Sequence, residues 1–284
     1  MTTDGTTSTD ATTRHVAEAA PGGRTHDTSA PAVEAAPRRS TPPPATRRAA
    51  TVAGVLGELM ITLGVLLLAF VAWQLWWTDV EGERAQAAIV EELDWAPIPA
   101  PDEPAPPPPA PAVMRRDASP PMAEPAYAET FATMLVPRWG PDYERPVSQG
   151  VDRATVLDPL GIGHYPGTAM PGDVGNFAVS GHRTTYGKPF NRVAELQIGD
   201  PIVVRTADIW YVYRVTSTQI VLPEDVQVIA PAPNEPGVEP TVRSITLTTC
   251  HPMYSARERF IVHGELDYWM STADGFPAEI SGGA

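Results

Sequence analysis

Apolar and polar positions divide the chain into stretches of different character. The first 48 residues are mostly Thr, Ala, Pro and Arg, with few large apolar side chains. Such a segment buries too little surface to offset chain entropy and is predicted to be disordered. From Ala49 to Trp77 the pattern inverts: the run is apolar and Glu58 is its only charge. About 20 helical residues cross a hydrocarbon core of ~30 Å, so one membrane-spanning helix is expected over 49–78. Trp73, Trp76 and Trp77 gather at one end, where indoles favour the water–lipid interface. A signal peptide fits less well, because the run starts late, is long and lacks a small-x-small cleavage site. Glu58, in the first turns, reads as a carboxylate reaching the headgroup zone.

Beyond the apolar run, residues 79–127 read as an acidic and then Pro-rich linker. Between Trp95 and Pro125, 12 of 31 residues are Pro, which excludes a helix or a central strand there. At ~3.1 Å per residue, a polyproline spacer of this length would reach roughly 90 Å from a membrane. From about residue 128 to 270 the pattern becomes one of short strands: Asn176 to Ser180, Pro201 to Arg205, Trp210 to Thr216, Ser244 to Thr249 and Phe260 to Leu266. Val, Ile, Thr and Tyr are enriched and Gly, Pro and Asp punctuate at short intervals. Trp210-Tyr-Val-Tyr-Arg-Val-Thr alternates as a half-buried strand does. Short helical stretches are expected only around Tyr186 to Val193 and Pro223 to Ile229. The fold class is therefore mainly β, a closed or nearly closed barrel, with a polar tail over 271–284.

Charge and composition narrow the function. With 20 Lys and Arg against 34 Asp and Glu, the net charge of −14 argues against nucleic-acid binding, which needs a concentrated positive surface. Arg38, Arg39, Arg47 and Arg48 precede the apolar run, and Asp79, Glu81, Glu83, Glu91, Glu92 and Asp94 follow it. The positive-inside rule puts the N-terminus in the cytoplasm and the barrel outside. One cysteine, Cys250, excludes an internal disulfide framework and a Cys-based zinc cluster.

Cys250 closes a strand-like run, Ser244-Ile-Thr-Leu-Thr-Thr-Cys. A buried, inert thiol is the plain reading. Outside the cell, however, an idle thiol is an oxidation liability, and a strand-to-loop edge is where reactive groups are placed. A thiol nucleophile needs a base or an electropositive neighbour. Of His164, His182, His251 and His263, His182 follows a strand and could meet Cys250, whereas His251 neighbours it in sequence and should point the other way. Acyl transfer also needs an oxyanion stabiliser, for which Arg257 and Arg259 are candidates.

Three motifs carry a resemblance. Thr246-Leu-Thr-Thr-Cys-His-Pro resembles the Thr-Leu-x-Thr-Cys signature of sortases, the membrane-anchored cysteine transpeptidases of Gram-positive bacteria. Pro171-Gly-Asp-Val-Gly-Asn-Phe-Ala-Val-Ser-Gly-His-Arg resembles the stretch with the family's catalytic His, here His182. Arg259-Phe-Ile-Val-His-Gly-Glu-Leu resembles the strand opening with its catalytic Arg, which favours Arg259 over Arg257. The Thr-Thr before the Cys and His164-Tyr-Pro-Gly-Thr look most like class E, typical of high-GC organisms, and Lys188 is the only lysine. The resemblance implies an eight-stranded β-barrel. It also implies cleavage of a sorting motif between Thr and Gly by Cys250, with transfer to a cell-wall precursor amine of the lipid II type. Cys250 and His182 would then work with opposite charges, so that only the correctly protonated fraction acts.

Class E further implies a Leu-Ala-x-Thr-Gly motif rather than Leu-Pro-x-Thr-Gly, with Tyr165 by position linked to that preference. A phenol can bond a backbone N–H, which Pro lacks. Thr248 and Thr249 are candidate groove residues. The partners implied are surface proteins carrying such C-terminal signals, and the membrane. The one Asp-Pro pair, Asp158-Pro159, is followed by Leu160, so no aromatic lid motif is present. Glu224 and Asp225 alone are too few for a calcium site, so no metal and no cofactor are expected. An L,D-transpeptidase would set its Cys in a different context, and a stalked, non-catalytic binding module remains the alternative from another class.

Overall fold

The computed structural model describes residues 44–98 and 113–280. Most of the stretch expected to be disordered, the centre of the Pro-rich stretch and the last four residues lie outside the described residues. The chain divides into two units after Glu58. The described part of the first is the beginning of helix α1, which runs from Pro44 to Glu92. The second holds the rest of α1 and the barrel.

From Leu59 to Trp77 the large apolar side chains of α1 are exposed, and the helix from Thr51 onward is long and apolar enough to cross a membrane. It does not stop at residue 78. Asp-Val-Glu-Gly-Glu-Arg-Ala-Gln-Ala-Ala-Ile-Val-Glu-Glu, 79–92, is rich in helix formers and continues it. This segment docks on the barrel: Asp79 bonds Lys188 at 2.8 Å and Gln86 is fully buried. The barrel is thus held directly beside the end of the apolar helix, not at the far end of a spacer.

Eight strands follow: β1 (Thr130–Leu135), β2 (Glu144–Gln149), β3 (Ile162–His164), β4 (Gly175–Ser180), β5 (Pro201–Arg205), β6 (Ile209–Val221), β7 (Arg243–His251) and β8 (Glu258–Ser271). They close in the order β1-β2-β3-β4-β7-β8-β6-β5. Closure leaves no unpaired sheet edge. The pairs β2/β3 and β4/β7 are parallel and the others antiparallel. The stretch 186–193 forms turns, with a single 3-10 turn at Val193–Glu195, and Val226–Ile229 is a second.

Inward positions alternate along each strand. Phe177 and Val179 of β4, Ile245 and Leu247 of β7, Tyr211 and Tyr213 of β6 and Val262 of β8 meet in the interior. Each such burial contributes about 1.5–3 kcal/mol. Strand β6 is buried on both faces over Ile209–Tyr213, not one. Its outer residues Trp210 and Val212 join Leu135, Val203, Tyr268 and Met270 in a second cluster. Flanking segments cover it with Ile98, Val113, Met114, Phe276 and Ile280. Arg115 pairs with Trp269 as a bridge, and Glu279 bonds Arg214 and Tyr268. The folded unit therefore begins before residue 128 and takes in part of the stretch read as a tail.

Candidate active site

The chemistry converges where β4, β7 and β8 end side by side. In the parallel pair β4/β7, Ser180 stands level with Thr248. Two residues further along each strand are His182 and Cys250. Gly181 N–H donates to the Thr248 carbonyl at 3.2 Å, and Thr249 Oγ1 donates to the Gly181 carbonyl at 2.7 Å. These bonds carry the alignment past the end of β4. In the antiparallel pair β7/β8, Cys250 lies directly opposite Arg259.

Alternation fixes the face. Ile245 and Leu247 point into the core, and so does Val262. Thr248 and Cys250, with Ile261 and Arg259 opposite them, therefore line the outer face of the barrel. Cys250 is partly exposed. Tyr165, just after β3, reaches this face: its hydroxyl lies 3.0 Å from Thr248 Oγ1. Thr248 Oγ1 donates its one proton to the Val179 carbonyl at 3.2 Å, so the phenol is the donor between the two hydroxyls.

The imidazole of His182 is oriented by a group that motif reading did not assign. Its Nε2 lies 2.6 Å from Asp158 Oδ1, which leaves Nδ1 as the nitrogen available to a substrate. Arg153 pairs with the same carboxylate at 3.3 Å. Tyr186 packs on the ring at 5.2 Å between centroids. Asp158 appeared in sequence only as half of an Asp-Pro pair without an aromatic lid residue.

Two arginines stand near Cys250, one by strand register and one by a hydrogen bond. Arg259 shares the face of the thiol, and its Nη1 donates to the carbonyls of Ala256 and Glu258. Arg183 is buried and bonds Cys250 only at its main chain, donating to the Cys250 carbonyl at 3.2 Å and to His251 Nδ1 at 2.8 Å. Its guanidinium also sits 5.5 Å over the Phe260 ring. Burial lowers Arg183 below the ordinary arginine range, and the nearby Cys250 charge offsets part of this. Arg183 follows His182 directly in sequence, yet nothing in the pattern marks it as a partner of a residue 67 positions away. Arg257 is exposed.

Two further histidines, His164 and His263, are structural in their surroundings. His164 is buried against Phe177 and bonds Gln149 and Ala169; burial lowers its pKa. His263 is buried between Thr246 and Gln219, and burial lowers its pKa to about 4. Among the described residues, no group of three or more His, Cys, Asp or Glu side chains is placed to hold a metal ion.

Comparison with known proteins gives consistent results. A family profile described as Sortase domain matches residues 134–267. Sortase SrtE1 of Streptomyces coelicolor is 37% identical over 219 residues, which is 74% of this chain but 56% of that relative's length. Sortase SrtE2 of the same organism is 33% identical over 234 residues, covering 78% of this chain and 84% of the relative. Among solved structures, the SrtA sortase from Actinomyces oris superposes with a TM-score of 0.56 at 45% identity, covering 58% of this chain and 95% of that one.

Proposed function

The chain belongs to the sortase family, class E, and on that premise we propose that it is a cysteine transpeptidase acting on C-terminal sorting signals at the outer surface of the membrane. The Cys250 thiolate attacks the Thr carbonyl carbon of the motif. The tetrahedral intermediate collapses, the Thr–Gly bond breaks, and the departing Gly amine takes a proton from His182. The thioester is then attacked by an amine of a cell-wall precursor, of the lipid II type. That amine gives its proton to His182, and the thiolate leaves.

Arg259 is assigned to the oxyanion, because it alone of the two nearby arginines shares the thiol's face. Its guanidinium has to swing from the Ala256 and Glu258 carbonyls to the cleft. Tyr165 and Thr248 are assigned to the motif groove. Thr249 is not: by the same alternation it points away from the Cys250 face, is buried, and donates to the Gly181 carbonyl ahead of His182. In this reading Tyr165 favours Ala at the second motif position, as in Leu-Ala-x-Thr-Gly, because its phenol can meet a backbone amide that Pro does not have. The N-terminus lies in the cytoplasm, following the charge asymmetry around the apolar helix.

The observation that carries this reading is the alignment of three strand ends, with Ser180 level with Thr248 and Cys250 opposite Arg259. The test is to incubate the full chain with a Leu-Ala-x-Thr-Gly peptide and a small amine. Cleavage between Thr and Gly with formation of the amine adduct is expected. Hydrolysis at other bonds would indicate a protease, and binding without any cleavage would indicate a stalked binding module.

A further inference from the structure

The loop that follows His182 has a backbone that does not hold itself. Tyr186, Gly187 and Lys188 have φ of 55°, 71° and 35°, three successive left-handed residues of which two carry side chains. Such conformations persist where surrounding structure over-determines them. Here the surrounding structure is the membrane-proximal end of α1.

Three residues one helical turn apart make the contact. Asp79 bonds Lys188 Nζ at 2.8 Å. Gly82 lies so close to the loop that a Cβ on it would stand 2.5 Å from Gly187 N and from Tyr186 C. Gln86 Nε2 donates to the Tyr186 carbonyl at 2.9 Å. Gln86 is wedged between two glycines: a Cβ on Gly187 would lie 2.7 Å from its Nε2, and one on Gly161 would lie 2.9 Å from its Cδ. Gly161 belongs to the turn that carries Asp158. Gln86 thus touches both walls of the imidazole's seat, the Tyr186 loop on one side and the Asp158 turn on the other. Asp79 Oδ1 and Gln86 Oε1 are buried with no partner among the described residues, so these polar groups are held here by the docking and not by solvent.

We propose that Asp79, Gly82 and Gln86 are positioning residues for His182, so that the end of the membrane helix sets the orientation of the catalytic imidazole. This rests on the transpeptidase reading above. Among the described residues the helix makes no hydrogen bond or ion pair to Cys250, Thr248 or Tyr165, so its effect falls on turnover and not on substrate binding. Anchoring then does more than localise the barrel. It completes the active site, and a barrel parted from residues 79–92 would keep its core and lose catalytic alignment.

The test uses the full chain in phospholipid nanodiscs, with kcat and KM measured on a Leu-Ala-x-Thr-Gly peptide plus amine. Hydrogen exchange of residues 182–190 is followed in parallel. Gly82→Leu, which forces the helix off the loop, and Gln86→Met, which keeps bulk but removes the bond, should each lower kcat about tenfold or more, the scale of a small misplacement of a reacting group. KM should stay within about twofold, and exchange in 182–190 should rise. Asp79→Lys should lower kcat, and adding Lys188→Asp should restore part of the loss, a recovery that general destabilisation would not give. Wild-type kcat in Gly82→Leu and Gln86→Met, or loss of kcat and KM together with the melting temperature, would overturn the proposal. If the wild type shows no Cys250-dependent transfer, the transpeptidase reading falls. Exchange then decides the positioning claim separately: faster exchange of 182–190 in Gly82→Leu supports it, and unchanged exchange overturns it.

Discussion

Strand β8 joins two regions built on opposite plans. Its far end, Trp269 and Met270, lies in apolar surroundings packed from both faces and covered by the flanking segments. Its near end, Arg259, lies on a rim where a buried guanidinium nitrogen of Arg183 has no partner among the described residues and where the adjoining loop runs through left-handed backbone. The packed region stabilises through area, with many residues sharing the load. The rim depends on a few specific contacts, among them the carboxylate on His182, the phenol on Thr248, and Asp79 and Gln86 under the loop. Substitutions in the first should change stability and spare chemistry, and those in the second should do the reverse.

The widest separation is expected at Cys250. Cys250→Ala should reduce transfer to background while thermal unfolding stays unchanged, measured by peptide turnover and calorimetry on the same sample. The matching test in the packed region is Trp210→Ala. It should cost about 3–5 kcal/mol of stability, read by urea unfolding, with activity per folded molecule retained. Next is the arginine pair. Loss of an oxyanion donor costs ~10²–10³ in kcat, so Arg259→Ala should fall in that range while Arg257→Ala stays near wild type. Equal losses would undo the assignment of Arg259.

A pH effect follows from His263, whose folded pKa of about 4 lies below its unfolded value. Below the unfolded value of ~6.5 the unfolded chain binds the extra proton, so stability falls as pH drops from about 6.5 to about 4, by up to ~3 kcal/mol. His164 adds to this in the same direction. Melting curves across that window should show the loss, and His263→Gln should shrink it. The smallest effect is expected from Tyr165→Phe, which should narrow the Ala-over-Pro motif preference without abolishing turnover.

Periodicity reads well where one rule governs a segment. Five strands stand out as runs rich in Val, Ile, Thr and Tyr bounded by Gly, Pro and Asp, and the apolar helix is evident from its length. Strand β3 is three residues long, and β2 carries Pro146 and two charges, so neither presents a pattern. The flanks were legible only as low-complexity chain, because their few apolar residues gain meaning from the outer cluster they cover. Cys250, His182 and Arg259 were readable as candidates because each stands in a local motif. Asp158 and Arg183 were not, since their roles come from contacts 24 and 67 residues away. The docked end of α1 was hidden for a similar reason. Gln86 looks like any helix-surface glutamine until the loop it supports is in place.

Because the chain has a single cysteine, the central claim can be read from one spectrum. Intact-mass analysis of the full chain incubated with a Leu-Ala-x-Thr-Gly peptide and no added amine should show one adduct, the peptide acyl group ending at Thr, carried on Cys250. The same adduct should be lost or strongly slowed in His182→Ala and in Arg259→Ala. No adduct on the wild type, or an adduct that forms at the same rate in all three proteins, would contradict the claim that these strand ends make one catalytic site.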